Sequence, residues 1–296
     1  MSSPSRVWFI TGTSSGFGLE MARCALGHGD RVVATLRNPS TLSTLSAQYP
    51  AAQLLVTRVD VTHPKEIKAA FALALDTFGR VDVVFNNAGY VLAGEAEGTP
   101  DADARALFEV DFWGAVYVSQ EALRVFRDVN VPRGGRLIQN SAAVGLVAFP
   151  NMGFYGAAKH ALEGFSETLS MEVHPDWNIK ITCVEPGAFG STGIQHKLQL
   201  VPQHPAYSDP SLTVSIVRRS FAEGVNDGDA AARFGHSDAV KGVARIYELS
   251  KLDDPPMHLP LGLDSVAFLS EYAEGVRKDV EEYASWSDDL EKRNSL

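Results

Sequence analysis

The sequence predicts a doubly wound α/β fold on a parallel sheet, and three observations carry that reading. Short apolar runs recur along the first two thirds of the chain, most of them followed by an amphipathic stretch. Runs that do not alternate with polar residues belong to strands buried on both faces. Between the first run and the first helix stands Thr11-Gly12-Thr13-Ser14-Ser15-Gly16-Phe17-Gly18, a turn whose glycines let backbone approach a phosphate closely. No internal repeat or low-complexity linker interrupts the alternation, so residues 1–296 read as a single domain.

The elements follow in order. Val7–Thr11 is a strand and Gly18–Gly27 a helix; Arg31–Leu36 and Leu54–Val59 are the next strands. A helix over Lys65–Phe78 leads to a strand at Val81–Phe85, which ends in Asn86-Asn87-Ala88-Gly89. One long helix is expected over Ala102–Val125, then a strand at Gly135–Asn140, a helix at Tyr155–Glu172 and a strand at Lys180–Glu185. Residues 6–192 form the core, with ligands expected at the C-terminal strand ends. From about 188 to 236 the chain is rich in Ser, Pro, His and Gly and reads as a substrate lid of loop and short helices. Ser237–Ser250 is a helix, and residues 253–296 are an extension opened by Asp253-Asp254-Pro255-Pro256. Within it Leu259–Gly262 is a last strand that Pro260 confines to a sheet edge, and Asp264–Trp286 is a helix.

Composition excludes several partners. With 26 basic and 36 acidic residues the net charge is −10, which argues against nucleic acid or an anionic membrane. Hydrophobic content of 45% suits a soluble core. No apolar run reaches the ~18 residues of a membrane span, and the start lacks the apolar stretch of a secretory signal. Cys24 and Cys183, both in apolar runs, suggest a reducing compartment and no disulfide framework. A cytoplasmic protein is expected, and no set of metal ligands is assigned.

The glycine spacing Gly12-x-x-x-Gly16-x-Gly18 with Thr11 ahead of it, Asp60-Val61 after the third strand, Asn86-Asn87-Ala88-Gly89 after the fourth, Tyr155-Gly156-Ala157-Ala158-Lys159, and Pro186-Gly187 after the sixth stand in a fixed order. Together they resemble the short-chain dehydrogenase/reductase family, with its Rossmann-type fold, over residues 6–192. The resemblance implies a dinucleotide held by Gly12, Thr13, Ser14, Ser15, Gly16, Phe17 and Gly18. It further implies adenine contacts at Asp60 and Val61, and cofactor contacts at Asn87, Ala88, Gly89, Tyr155, Lys159, Pro186, Gly187, Phe189 and Ser191. The second strand ends Thr35-Leu36-Arg37. Leu36 takes the place of the acid that would bind a ribose hydroxyl, and the Arg37 guanidinium suits a phosphate, so NADP(H) is expected over NAD(H).

The resemblance implies that Tyr155 is the general acid/base and that Lys159 lowers its pKa; the i, i+4 spacing sets both on one helix face. Two positions depart from the family pattern. Ser141-Ala142-Ala143-Val144-Gly145 puts Ala142 where the family's catalytic serine falls. Neighbouring Ser141 replaces it only if the backbone bulges, because adjacent residues of an extended chain point to opposite sides. The family's asparagine is Asp111, which either keeps a water relay through its carbonyl or acts through its carboxylate. Two activities are therefore weighed, beside a non-catalytic nucleotide-binding sensor, against which the retained Tyr155 and Lys159 speak. One is an NADP(H)-dependent oxidoreductase for a small, mostly apolar carbonyl, alcohol or imine; Phe149, Pro150, Met152, Phe154 and Phe189 are candidates to line its pocket. The other is an isomerase, cyclase or lyase that uses Tyr155, Lys159 and Asp111 with the nucleotide as scaffold. A homodimer or homotetramer is implied by resemblance.

Overall fold

The computed structural model describes residues 5–190, 198–226, 237–288 and 290. Seven parallel strands form the sheet: β1 (Val7–Thr11), β2 (Arg31–Leu36), β3 (Leu54–Arg58), β4 (Val83–Asn86), β5 (Gly135–Asn140), β6 (Ile179–Pro186) and β7 (His258–Leu261). Their order across the sheet is β7-β6-β5-β4-β1-β2-β3. The chain crosses over between β1 and β4, and such a switch point opens a crevice at the carboxyl ends of the strands. β7 pairs with β6 alone, so Pro260 does sit on an edge strand, where its missing N–H leaves no inner ladder broken.

Period-two alternation sends neighbours to opposite faces. From β1, Trp8 and Ile10 join α1 (Gly16–Gly27) in one core layer, while Val7 and Phe9 join α2 (Pro64–Phe78) in the other. Trp8, Phe9, Phe71, Phe85 and Phe126 are fully buried, and each such side chain contributes roughly 1.5–3 kcal/mol by leaving water.

The expected long helix is interrupted. It runs as α3 (Asp101–Phe108), a π-helical turn at Glu109–Gly114, and α4 (Ala115–Arg124), with a second π-helical turn at Val125–Val129. One added residue per turn rotates the side chains within it, and Asp111 lies in the first such turn. α5 is Gly153–Glu172. Within the segment expected to be loop and short helices, α6 (Thr213–Asn226) turns Val214, Val217, Arg218 and Phe221 inward. Short parallel bridges join Leu198–Leu200 to Val91–Ala93 and Phe189–Gly190 to Ser237–Asp238. α7 (Ala239–Leu249) packs beside α1, and α8 (Leu263–Tyr283) follows β7. Among the described residues no helix is long and apolar enough to cross a membrane.

Candidate active site

The glycine turn is fixed by sterics. Gly12 and Gly16 have φ of 72° and 58°, the left-handed region that glycine adopts without cost. A Cβ on Gly18 would lie 2.5 Å from the Gly12 carbonyl oxygen, and one on Gly12 would lie 2.8 Å from the Ala88 Cα. Thr11 ties this turn to the end of β4: its Oγ1 accepts from the Asn87 and Ala88 N–H groups at 2.8 and 2.9 Å. The Asn87 side chain donates to the Thr11 carbonyl at 2.8 Å and in turn accepts from Asn140 at 2.9 Å. Thr13 is held to β2 through the Thr35 carbonyl. Ser15 caps α1 without a side-chain hydrogen bond, so the helix presents its first N–H groups and the positive end of its dipole to an anion. This cradle fits a pyrophosphate.

A pocket continues from the cradle along Leu36, Arg37, Asp60 and Val61. Leu36 is buried and Arg37 is exposed at its rim. Burial opposes ionisation of Asp60. Hydrogen bonds from Thr62 and the nearby His63 and Arg37 outweigh it and hold the carboxyl below its usual range.

Tyr155 and Lys159 stand on α5 at the ends of β4 and β5. The Lys159 ammonium donates to the Asn140 carbonyl at 3.1 Å and pairs with Asp111 Oδ2 at 3.2 Å. Both side chains of this pair are almost wholly buried. Asp111 Oδ1 accepts from the Tyr90 N–H at 3.0 Å, and a Cβ on Gly89 would lie 2.8 Å from Oδ2. Lys159 Nζ stands 5.7 Å from the centre of the Tyr155 ring. Burial pushes the Tyr155 phenol up, Lys159 pulls it down and Asp111 pushes it up again; the balance is upward. Burial disfavours the Lys159 ammonium, but Asp111 above all outweighs this, so the lysine is held protonated.

Ala142 is extended, with φ −166° and ψ 160°. Ser141, its neighbour, is buried and borders the Glu163 carboxylate, although the two make no aligned hydrogen bond. A Cβ on Gly145 would meet Ser141 Oγ, Glu163 Oε1 and the Lys159 Cβ at 2.5, 3.2 and 3.2 Å. The Ser141 hydroxyl therefore occupies the Glu163 side of α5, as alternation along an extended chain predicts.

Around Tyr155 the lining is apolar: Leu92, Leu107 and Val201 form a cluster with Tyr90, Phe154 and Tyr155. Arg218 of α6 clamps the lid here. It pairs with Glu95 at 3.3 Å and donates to the Val201 carbonyl. Phe189 is buried against Phe17, with ring centres 5.0 Å apart, whereas Phe149 faces Phe268. Pro186-Gly187 closes β6, and Asp264 of α8 braces it by accepting from the Ala188 N–H at 2.6 Å. Ser191 lies outside the described residues. Asn140, Tyr90 and the Glu95–Arg218 clamp were not expected; all act through backbone or long-range contacts that no local spacing signals.

The family model of the short chain dehydrogenases matches residues 6–201. The chain belongs to the short chain dehydrogenase family. It is 33% identical over 292 residues to an uncharacterized oxidoreductase of Schizosaccharomyces pombe, covering 99% of this chain and 94% of that protein. A short-chain dehydrogenase from Streptomyces avermitilis is similar in structure, with a TM-score of 0.85 and 32% identity over 98% of this chain and all of the other. A Burkholderia phymatum short chain dehydrogenase/reductase in complex with NAD shares the fold, with a TM-score of 0.69, 21% identity and full coverage of both chains. This short chain dehydrogenase is an oxidoreductase by family.

Proposed function

We propose that the protein is an NADP(H)-dependent oxidoreductase for a small, mostly apolar carbonyl, alcohol or imine. The observation that carries the reading is the buried Lys159 ammonium, held by the Asn140 carbonyl and the buried Asp111 carboxylate beside a half-buried Tyr155. When bound, the dinucleotide supplies or accepts the hydride. Gly12, Gly16, Gly18 and the α1 N-terminus hold its pyrophosphate, Asp60 and Val61 face the adenine, and Arg37 takes the 2′-phosphate.

Tyr155 gives its phenolic proton to the substrate oxygen or nitrogen in reduction and takes it back in oxidation. The Lys159 charge stabilises the tyrosinate that forms, and Asp111 keeps the lysine charged while opposing that tyrosinate. Leu92, Leu107, Val201 and Phe154 exclude water from the reacting centre. With alanine at 142, the substrate oxygen lacks the serine donor of the family pattern, and a substrate that needs little polarisation, such as an iminium, suits the site. Assembly as a homodimer or homotetramer in the cytoplasm fits this reading. α3–α4 and α5 expose Trp113 and Met171 for contacts between subunits.

The test is NADPH oxidation, followed by absorbance, over a panel of carbonyls and imines. Tight NADPH binding without turnover of any member would overturn the redox reading. The buried Asp111–Lys159 pair favours a second one, acid–base isomerase, cyclase or lyase chemistry with the nucleotide as scaffold. In that case Ala142→Ser with Asp111→Asn raises reductase activity and lowers the native reaction; no change in either removes its basis.

A further inference from the structure

One turn beyond Lys159 on α5, three residues distant in sequence converge. Glu163 of α5, Glu185 of β6 and His258 of β7 each bring one donor atom within 4.8 Å of the other two. His258 Nδ1 lies 3.0 Å from Glu185 Oε1 and 3.6 Å from Glu163 Oε2. Donor atoms around a tetrahedral zinc ion, bound at about 2.0–2.1 Å, stand about 3.3–3.4 Å apart. The two His258 spacings bracket that value, the shorter of them being a hydrogen bond as the side chains stand, and the Glu163–Glu185 spacing is under 4.8 Å.

The carboxylates are also left with open acceptors. Glu163 is 2% exposed and Glu185 fully buried. Glu185 Oε2 is buried without an aligned hydrogen bond, and the Glu163 oxygens, equally buried, meet only the Ser141 hydroxyl and the Cys183 thiol, neither of them well aligned. Two ionised carboxylates in such a place are costly unless matched by positive charge; burial and the neighbouring Glu163 push the Glu185 carboxyl up to about 9, so a bound cation has to displace its proton. The nearest fixed cation, Lys159, is already engaged by Asp111. The other nitrogen of His258, Nε2, faces Glu167 Oε1 at 3.5 Å. A carboxylate behind a ligating imidazole is the usual outer partner that fixes ring orientation at a metal. The His258 side chain is 36% exposed, which gives an ion a way in.

We propose that Glu163, Glu185 and His258 bind one small divalent transition-metal ion, outside the catalytic pocket, with Glu167 as the outer partner of the imidazole. The site joins edge strand β7 to β6 and α5. Its role is to brace the sheet end that carries Pro186-Gly187, not to take part in proton or hydride transfer.

The experiment uses the full chain, stripped with chelator and dialysed against Zn²⁺, with metal counted by mass spectrometry and folding followed by circular dichroism. Wild type should retain one zinc per chain and melt at a higher temperature with zinc than without. Glu185→Gln and the milder, half-exposed His258→Gln should lose that equivalent and the thermal response. Glu167→Gln should keep the site but weaken it by roughly ten- to hundredfold. Cobalt in place of zinc should give a visible ligand-field spectrum in wild type and not in His258→Gln. If wild type takes up no equivalent, or the folded variants retain as much zinc as wild type, the proposal fails. None of these readouts depends on turnover or on NADPH.

Discussion

The two ends of the site are built by different means. The cradle is made of backbone: Gly12, Gly16 and Gly18 are there because a Cβ would collide or because φ is positive. The Tyr155 end is assembled from three separate places: Asp111 in a π-helical turn, the Asn140 carbonyl at the end of β5, and the Tyr155 and Lys159 side chains on α5. Backbone sites depend on local dihedrals and tolerate nothing larger. Side-chain sites depend on how distant elements are set against each other, so single exchanges re-tune them. In the first kind the glycines have no room for a Cβ; in the second Asp111 pairs with Lys159, and Ala142 brings no polar group.

That contrast can be broken or sharpened by mutation. The largest effect is expected from Tyr155→Phe, which removes the transferable proton. Turnover should fall by ~10²–10⁴-fold, while NADPH binding measured by fluorescence titration stays unchanged. A parallel loss of binding would show that the two ends are not separable.

Next is Ala142→Ser, which adds a donor at the extended position beside Ser141. An oxyanion donor is worth ~10²–10³ in rate, so kcat on a ketone should rise towards that range. Arg37→Ala acts on the cradle end alone. It should narrow the preference for NADPH over NADH by roughly ten- to hundredfold, the worth of a charge-assisted hydrogen bond, with kcat little changed.

Asp111→Asn is the mildest and reads the electrostatics. Asp111 pushes the Tyr155 pKa up, so its neutralisation lets the phenol ionise at lower pH. Reduction needs the protonated phenol, and its alkaline limb should move to lower pH. Oxidation needs the tyrosinate, and its acid limb should move the same way. Rate–pH profiles in both directions check the sign; a shift to higher pH would contradict the assigned role of Asp111.

Much of the fold was legible because buried parallel strands and glycine turns are local signals. All seven strands were located, with boundaries differing by a residue or two, and the edge position of β7 followed from Pro260. The long helix was not read correctly, since Ala102–Val125 keeps a helical period on either side of Glu109–Gly114 and nothing in that period marks an extra residue per turn. Helix α6 was hidden in a segment whose composition resembles loop, because the inward face of Val214, Val217 and Phe221 is interrupted by polar residues. At the site, the placing of Tyr155 and Lys159 on one helix could be read from spacing, whereas the Asn140 carbonyl that receives Lys159 could not.

The sequence by itself determined where backbone must turn and which strands are buried on both faces, since these follow from dihedral limits and from periodicity within a few residues. Only the tertiary structure decided that Asp111 pairs with Lys159, that Ser141 faces Glu163, that Arg218 clamps the lid to Glu95 and that Glu163, Glu185 and His258 meet. Those pairings join residues 22 to 123 positions apart, at distances set by helix rotation and strand register across the sheet, which no local pattern records.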